Sequence, residues 1–225
     1  MMIDILTPLI QSPKLQEHFI KLRDYIKEEQ QKRKDFYDFV TEDMKAEFIN
    51  GEVIIQSPVS DEHEGTSFDL ASLMHIYTVV NKLGRVTHEK LMIALTRNNY
   101  EPDICFFSAA KAKKFKEGQK LFPAPDFIAE VISRSTEKID RGIKMEDYAL
   151  HGAKECWIID PKHKTIEKYS LVNKKYELEE KLIQGEISSK VVRGFKIPVK
   201  AIFDKTEFSK TLATISNKQT FDGKN

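Results

Sequence analysis

Two short segments of this 225-residue chain are almost continuously apolar: Phe127–Val131 and Trp157–Ile159. The side chains of a β-strand alternate between its two faces, so an apolar run without alternation is expected where both faces of a sheet are covered. A helical pattern from about Glu137 to His151 lies between the two segments. Further runs rich in β-forming residues cover residues 85–96, 103–107 and 165–171. This order of strands and helices predicts an α/β or α+β sheet protein.

The first forty residues predict an amphipathic helix. Residues 11–40 are densely charged, and Leu15, Phe19, Leu22 and Ile26 recur at steps of three and four. This spacing places the four apolar side chains on one face of a helix. The apolar stripe either packs on the body of the protein or on a second subunit, or it belongs to a solvated helical arm.

A hairpin and a second helix follow. Two short β-rich runs between Ala46 and Ile55 are joined by Asn50-Gly51, a pair that tolerates the positive φ angles of a type I′ turn. A helix is predicted from about Asp61 to Leu83, with Gly84 ending it. We therefore expect three regions, which are a charged helical extension over 1–40, one principal domain over 41–205 and a polar tail over 206–225.

Composition limits the function further. The longest apolar runs fall well short of the roughly 20 residues that span a bilayer, and the N-terminus lacks the features of a signal peptide, so we expect a cytoplasmic protein without membrane contact. Cys105 and Cys156 lie far apart in apolar segments and are expected to be buried, reduced thiols. The formal net charge is only +1, so any binding of phosphate must be local.

Two carboxylates stand at chemically demanding positions. Asp103 enters a strand directly before an apolar run, and Glu130 lies inside an apolar strand, where a carboxylate needs a partner. That partner is a metal ion, a salt bridge or a proton. Asp126 precedes Glu130 by four residues on the same predicted strand, about 13 Å away, which is too far to share one ion. Asp103 belongs to a separate strand that can pair alongside.

The motif of proline, aspartate and then glutamate on a later strand resembles the PD-(D/E)XK nuclease motif, although Ile132 stands where that motif has its lysine. Lys144, on the following helix, is the candidate to replace it. The segment from Pro125 to Pro161 is similar to the Uma-two-type putative restriction endonuclease family, and the similarity extends from about residue 44 to 203. The residues that carry it are Glu130-Val131-Ile132-Ser133, Asp140, Lys144, Tyr148, Gly152, Glu155, Trp157 and Asp160-Pro161.

The resemblance implies a restriction-endonuclease-like core, with a central mixed β-sheet flanked by helices, that hydrolyses DNA phosphodiesters through metal-activated water. Asp103 and Glu130 would bind Mg²⁺, for which Mn²⁺ can substitute, and Lys144 would stabilise the charge that develops on phosphorus. The two carboxylates should then converge, with the Lys144 ammonium within about 4–6 Å of them. A homodimer is expected, because cleavage of two strands generally needs two active sites.

Several further residues are candidates with simpler explanations beside them. Glu47 and His63 are possible accessory ligands, or a hairpin acid and a helix-start residue. Asp140 either holds Lys144 in place or forms an exposed helix salt bridge. Tyr148 and Trp157 are expected to be core residues. The possible phosphate-binding lysines, which are otherwise a solvated face, are Lys111, Lys113 and Lys114.

Two alternatives to an active nuclease remain. A catalytically silent nuclease fold could serve as a DNA-binding or assembly module. An unrelated α/β scaffold could hold Glu130 and Lys144 as a buried ion pair.

Overall fold

The structure, a computed structural model, describes residues 6–217. The chain divides into two compact units, one that ends at Gln56 and one that begins at Ser57. None of the helices between residues 6 and 217 combines the length and hydropathy needed to cross a bilayer.

The first unit consists of two helices and a hairpin. Its elements are α1 (Thr7–Ile10), α2 (Leu15–Phe39), β1 (Ala46–Ile49) and β2 (Glu52–Ile55). The hairpin is antiparallel, and its turn residues Asn50 and Gly51 have φ angles of 52° and 86°, which confirms the predicted turn. Phe36 of α2 packs against Phe48 of β1 with ring centroids 5.7 Å apart, and both rings are buried.

The predicted apolar stripe of α2 is exposed. Leu15, Phe19, Leu22 and Ile26 lie 40–58% exposed on the amino-terminal half of the helix. The helix itself is confirmed. Successive residues of its narrow apolar stripe are four, three and four positions apart, which is the spacing of the apolar seam along which coiled-coil helices pack.

The second unit begins with a long helix and contains a six-stranded sheet. Its elements up to the centre of the sheet are α3 (Asp61–Val80), β3 (Gly84–His88), β4 (Met92–Ala94), β5 (Asn99–Tyr100), β6 (Ile104–Ser108), α4 (Ala109–Ala112), β7 (Leu121–Phe122) and β8 (Phe127–Val131). The elements that follow are α5 (Glu137–Ile139), a π-helical segment (Asp140–Lys144), α6 (Met145–Leu150), β9 (Glu155–Asp160), β10 (Thr165–Val172), β11 (Lys175–Leu182), β12 (Glu186–Ser188), β13 (Lys196–Pro198), a 3-10 segment (Val199–Ile202) and α7 (Lys205–Asn217).

The six-stranded sheet is mixed, with the order β11-β10-β9-β8-β6-β3. β8 pairs with β9 in parallel and with β6 in antiparallel orientation. The parallel pair requires a crossover, which the chain makes through α5 and α6. Three short strand pairings of the second unit lie outside this sheet: β4 pairs with β5 and with β7, and β12 pairs with β13. The predicted mixed α/β fold is therefore confirmed.

The two faces of β8 have different surroundings. Phe127, Ala129 and Val131 belong to the main hydrophobic core. That core also contains residues of α3 and α7, together with the Trp157 side chain. Because strand side chains alternate, Glu130 points to the opposite face, where a smaller apolar cluster includes Ile132 and Met145. Glu130 therefore faces the crossover helices.

The predicted polar tail is wrong for residues 206–217, which form most of α7. Phe208, Leu212 and Ile215 recur at helical spacing and pack on the main core. Lys205 adds an ion pair to both carboxylate oxygens of the buried Asp69 on α3, at 2.8 Å each. Residues 218–225 of the predicted tail lie outside the described residues.

Cys105 and Cys156 are free and buried, as the sequence predicted. Burial raises the pKa of both thiols well above the ordinary value. Protonated thiols at these positions behave as small core residues.

Candidate active site

Asp103 and Glu130 lie opposite each other where β6 begins beside β8. The backbone amide of Asp103 donates to Oε2 of Glu130 at 3.4 Å, and the amide of Val131 donates to Oδ2 of Asp103 at 2.9 Å. Ile104 lies opposite Ala129 in the strand register, so the neighbouring residues 103 and 130 are brought together. Both side chains are buried.

Asp126 takes part in a different interaction at the other end of β8. Its Oδ2 accepts a hydrogen bond from the amide of Ser108 at 2.9 Å, and its Oδ1 lies 3.1 Å from Nζ of Lys111. These contacts lower the pKa of Asp126 despite the opposing effect of burial. Asp126, which the strand spacing excluded from the site, therefore stabilises the start of β8.

Lys144 reaches Glu130 from the crossover helices. Its Nζ lies 3.4 Å from Oε1 of Glu130 and 3.1 Å from Oδ1 of Asp140. The side chains of Lys144 and Asp140 are only 3% and 4% exposed, so their contact is a buried ion pair rather than a surface one. Asp140 thus holds the lysine against Glu130.

The helix that carries Lys144 is not continuous. A single helix was predicted from about Glu137 to His151, but the backbone is kinked at Gly142 (φ −102°, ψ −108°) inside the π-helical segment. Glycine has a low helix propensity because it lacks a side chain that restricts the backbone, so the interruption falls where the sequence resists it least. Asp140 and Lys144 still lie on one side of this segment.

Tyr148 also contacts the site. Its ring is fully buried and lies edge-on to the ring of Tyr100, with centroids 5.3 Å apart. Its hydroxyl donates to Oε1 of Glu130 at 2.7 Å. The ring is a core residue, as the sequence predicted, but the hydrogen bond from the hydroxyl to Glu130 was not predicted. Trp157 is a core residue whose Nε1 donates to Glu155 at 2.7 Å.

His63 and Glu47 were predicted as accessory residues. Nε2 of His63 lies 3.5 Å from Oδ2 of Asp103, while its backbone amide donates to the N-cap Ser60. His63 therefore lies in the first turn of α3 and reaches the site. Glu47 is buried in β1, within the first unit, and its accessory role stays a prediction.

The predicted phosphate-binding lysines do not join the site. Lys111 donates to the carbonyl of Ala124 at 2.8 Å and pairs with Asp126, roughly 13 Å along β8 from Glu130. Lys113 and Lys114 follow α4, which begins where β6 ends. The segment does connect the two carboxylate strands, but at the end of the strands away from the carboxylates. A role in phosphate binding stays a prediction, and it would concern phosphates remote from the site.

The site carries more buried negative charge than positive. Asp103, Glu130 and Asp140 are each at most 5% exposed, and the Lys144 ammonium contacts the carboxylates of Glu130 and Asp140. Burial raises the pKa of Asp140, against the opposing effect of Lys144. A divalent cation would compensate such an excess, and carboxylate oxygens are the ligands that Mg²⁺ and Mn²⁺ prefer.

A pair of carboxylates is sufficient for this kind of cation. Among residues 6–217, no group of three or more His, Cys, Asp or Glu side chains is arranged to hold a metal ion. Mg²⁺ usually keeps several waters and binds to one or two carboxylates together with substrate phosphates. Asp103 and Glu130 fit that pattern.

Comparisons with known proteins give a family and a fold. The family described as "Uma2: Putative restriction endonuclease" matches residues 33–200, well over half of the chain. A crystal structure of a putative nuclease from Anabaena variabilis is similar with a TM-score of 0.65 and 18% identity, over 79% of this chain and 96% of that one. At this identity the likeness shows the fold, which is restriction-endonuclease-like. No curated protein matches the chain.

Proposed function

Because the chain belongs to the Uma2 family of putative restriction endonucleases, we propose that it is a Mg²⁺-dependent endonuclease that hydrolyses DNA phosphodiester bonds. The observation that carries the proposal is the buried cluster of Asp103, Glu130 and Lys144, in which Glu130 lies beside Asp103 of the neighbouring strand and contacts the Lys144 ammonium. If Glu130 and Lys144 formed only an ion pair that stabilises the fold, the second acid, Asp103, would not be needed.

Asp103 and Glu130 would hold the cation. A Mg²⁺ or Mn²⁺ ion held there would supply a water molecule of lowered pKa and would polarise a phosphoryl oxygen. Oδ2 of Asp103 is oriented by the Val131 amide and approached by His63. These contacts fix the aspartate before any ligand arrives, which reduces the cost of organising the site.

Lys144 would stabilise the charge that develops on phosphorus or orient the attacking water. Its contact with Asp140 holds the ammonium in place. A donor held in this way typically contributes about 3–4 kcal/mol to the transition state. Substitution of Lys144 should therefore reduce the rate more than the affinity for metal.

Cleavage of supercoiled plasmid DNA in Mg²⁺ or Mn²⁺ tests the proposal. Glu130→Ala should abolish metal-dependent nicking, and Lys144→Ala should slow it by about 10²–10³-fold. The exposed Glu177 and Lys154 provide the matched controls, Glu177→Ala and Lys154→Ala, which should cleave like the wild type. Nicking that survives both site substitutions would place the activity elsewhere. A wild type that binds DNA without cutting it would favour the silent binding module.

We further propose that the protein works in the cytoplasm as a homodimer that pairs through the exposed seam of α2. In an antiparallel pair, Leu15 would face the partner's Ile26, and Phe19 would face the partner's Leu22, so the seam is self-complementary. Light scattering should give a dimer mass for the wild type and a monomer mass for Leu22→Lys. Lys21→Glu, on the other face of the same helix, should remain dimeric, and a monomeric wild type would refute the pairing.

A further inference from the structure

Tyr148 contacts Glu130 more closely than Lys144 does. The Tyr148 hydroxyl donates to Oε1 at 2.7 Å, whereas Nζ of Lys144 lies 3.4 Å from the same oxygen. Both residues contact the carboxylate from the same side, four positions apart along the chain. The tyrosine ring cannot shift easily, because it is fully buried against Tyr100.

The two oxygens of Glu130 therefore have different surroundings. Oε1 is bound by Tyr148 and Lys144, while Oε2 lies on the side of Asp103, 3.4 Å from its backbone amide. The rotatable bonds of a glutamate side chain leave its carboxylate free to turn. When one carboxylate oxygen is held in place, the position of the other oxygen is restricted as well. Here the directed oxygen is the one that accepts from the backbone amide of Asp103.

We propose that Tyr148 is a positioning residue, whose hydroxyl fixes Oε1 of Glu130 and so presents Oε2 to a divalent cation shared with Asp103. The inference rests on the proposed function, since it requires a cation at this pair of carboxylates. Tyr148 touches neither substrate nor cation in this role and acts only through Glu130. Groups that orient metal ligands in this way typically change metal affinity by about 10–100-fold when they are removed.

A purely structural tyrosine would behave differently. Tyr148→Phe deletes one oxygen and keeps the ring that packs on Tyr100. If the hydroxyl only satisfies a buried carboxylate, its loss lowers stability and leaves the intrinsic affinity for metal unchanged. If it positions Glu130, the affinity for metal falls as well.

Titration calorimetry with Mn²⁺ in the absence of DNA separates the two roles. The matched control is Tyr169→Phe, because the Tyr169 hydroxyl also donates to a carboxylate, that of Glu167, at 2.7 Å. Circular dichroism verifies that each variant is folded. We expect Tyr148→Phe to raise the dissociation constant for Mn²⁺ by about 10-fold or more, and Tyr169→Phe to leave it unchanged.

A second variant keeps the test independent of stability. In a Glu130→Gln background the carboxylate to be positioned is gone, so adding Tyr148→Phe should weaken Mn²⁺ binding by less than two-fold. Wild-type affinity in Tyr148→Phe, or an equal loss in both backgrounds, would overturn this inference alone. A wild type that does not bind Mn²⁺ at all would overturn the proposed function together with it.

Discussion

Replacement of Lys144 by methionine tests the charge balance of the site most directly. The substitution keeps the length of the side chain and removes the ammonium. At an effective dielectric constant of about 20, the distances of 3.1 Å to Asp140 and 3.4 Å to Glu130 each correspond to roughly 5 kcal/mol of Coulomb attraction. The desolvation of the lysine, which methionine avoids, offsets part of this. Loss of one member of a buried ion pair typically costs about 3–5 kcal/mol, and we expect that decrease in the free energy of unfolding.

Urea denaturation, monitored by the fluorescence of the single tryptophan Trp157, measures this loss. The matched control is Lys168→Met, because Lys168 is just as buried but pairs with Glu179 and Glu180, which are 23% and 40% exposed. Those carboxylates can return to water, so the control should lose only about 1 kcal/mol. The experiment is done without metal, since a bound cation would mask the excess charge.

A double-mutant cycle identifies the interacting acid. Asp140→Asn removes one of the carboxylates that Lys144 neutralises, so the double variant should lose less stability than the sum of the two single variants, by about 1–3 kcal/mol. Additive losses, or a loss in Lys144→Met no larger than that in Lys168→Met, would refute the reasoning. Either result would mean that the buried carboxylates do not depend on the ammonium.

Two further predictions concern ion pairs away from the site. Burial acts to raise the pKa of Glu167, but hydrogen bonds, the largest from Arg141, outweigh it and lower that pKa to about 2. Because the pKa of Glu167 is lower in the folded state, the carboxylate stabilises the fold at pH values above its unfolded-state pKa near 4.5. This stability is lost as the pH falls towards 2. In urea titrations, the stability advantage of the wild type over Glu167→Gln should therefore shrink by about 3 kcal/mol across that window, and an unchanged difference would contradict it. Lys205→Met should destabilise the fold by about 1–2 kcal/mol in the same assay, because it leaves the buried Asp69 without its partner. Lys210→Met, on the exposed face of α7, should have almost no effect, and equal losses would show that α7 is not anchored by Asp69.

The central strands and the hairpin could be predicted because each depends on local pattern. The apolar run from Phe127 to Val131 predicted a strand covered on both faces, and Asn50-Gly51 predicted the turn that the structure contains. The need of Glu130 for a partner also follows from local sequence, since it requires only a carboxylate in an apolar strand. The strand spacing that excluded Asp126 depended on nothing more than the rise per residue.

The remaining features depend on which end of a strand a connection leaves, or on where a helix is interrupted. The lysines at 111, 113 and 114 follow the carboxylate strand in sequence, yet they emerge at its far end, and the sequence does not record that direction. The hydroxyl of Tyr148 meets Glu130 across 18 residues, so no local pattern distinguishes it from a core tyrosine. α7 was missed because its charged residues obscured the apolar stripe of Phe208, Leu212 and Ile215.

The antiparallel pairing of β6 with β8 has a consequence for folding kinetics. Asp103 and Glu130 are 27 residues apart in the chain, and they meet only after a loop of that length has closed and the two strands have paired. Lys144 joins them from the crossover that must also be completed before β9 can pair in parallel with β8. The recovery of Mn²⁺ affinity during refolding should therefore not precede the pairing of β6 with β8 and the completion of the crossover, so that metal binding reports when both are in place.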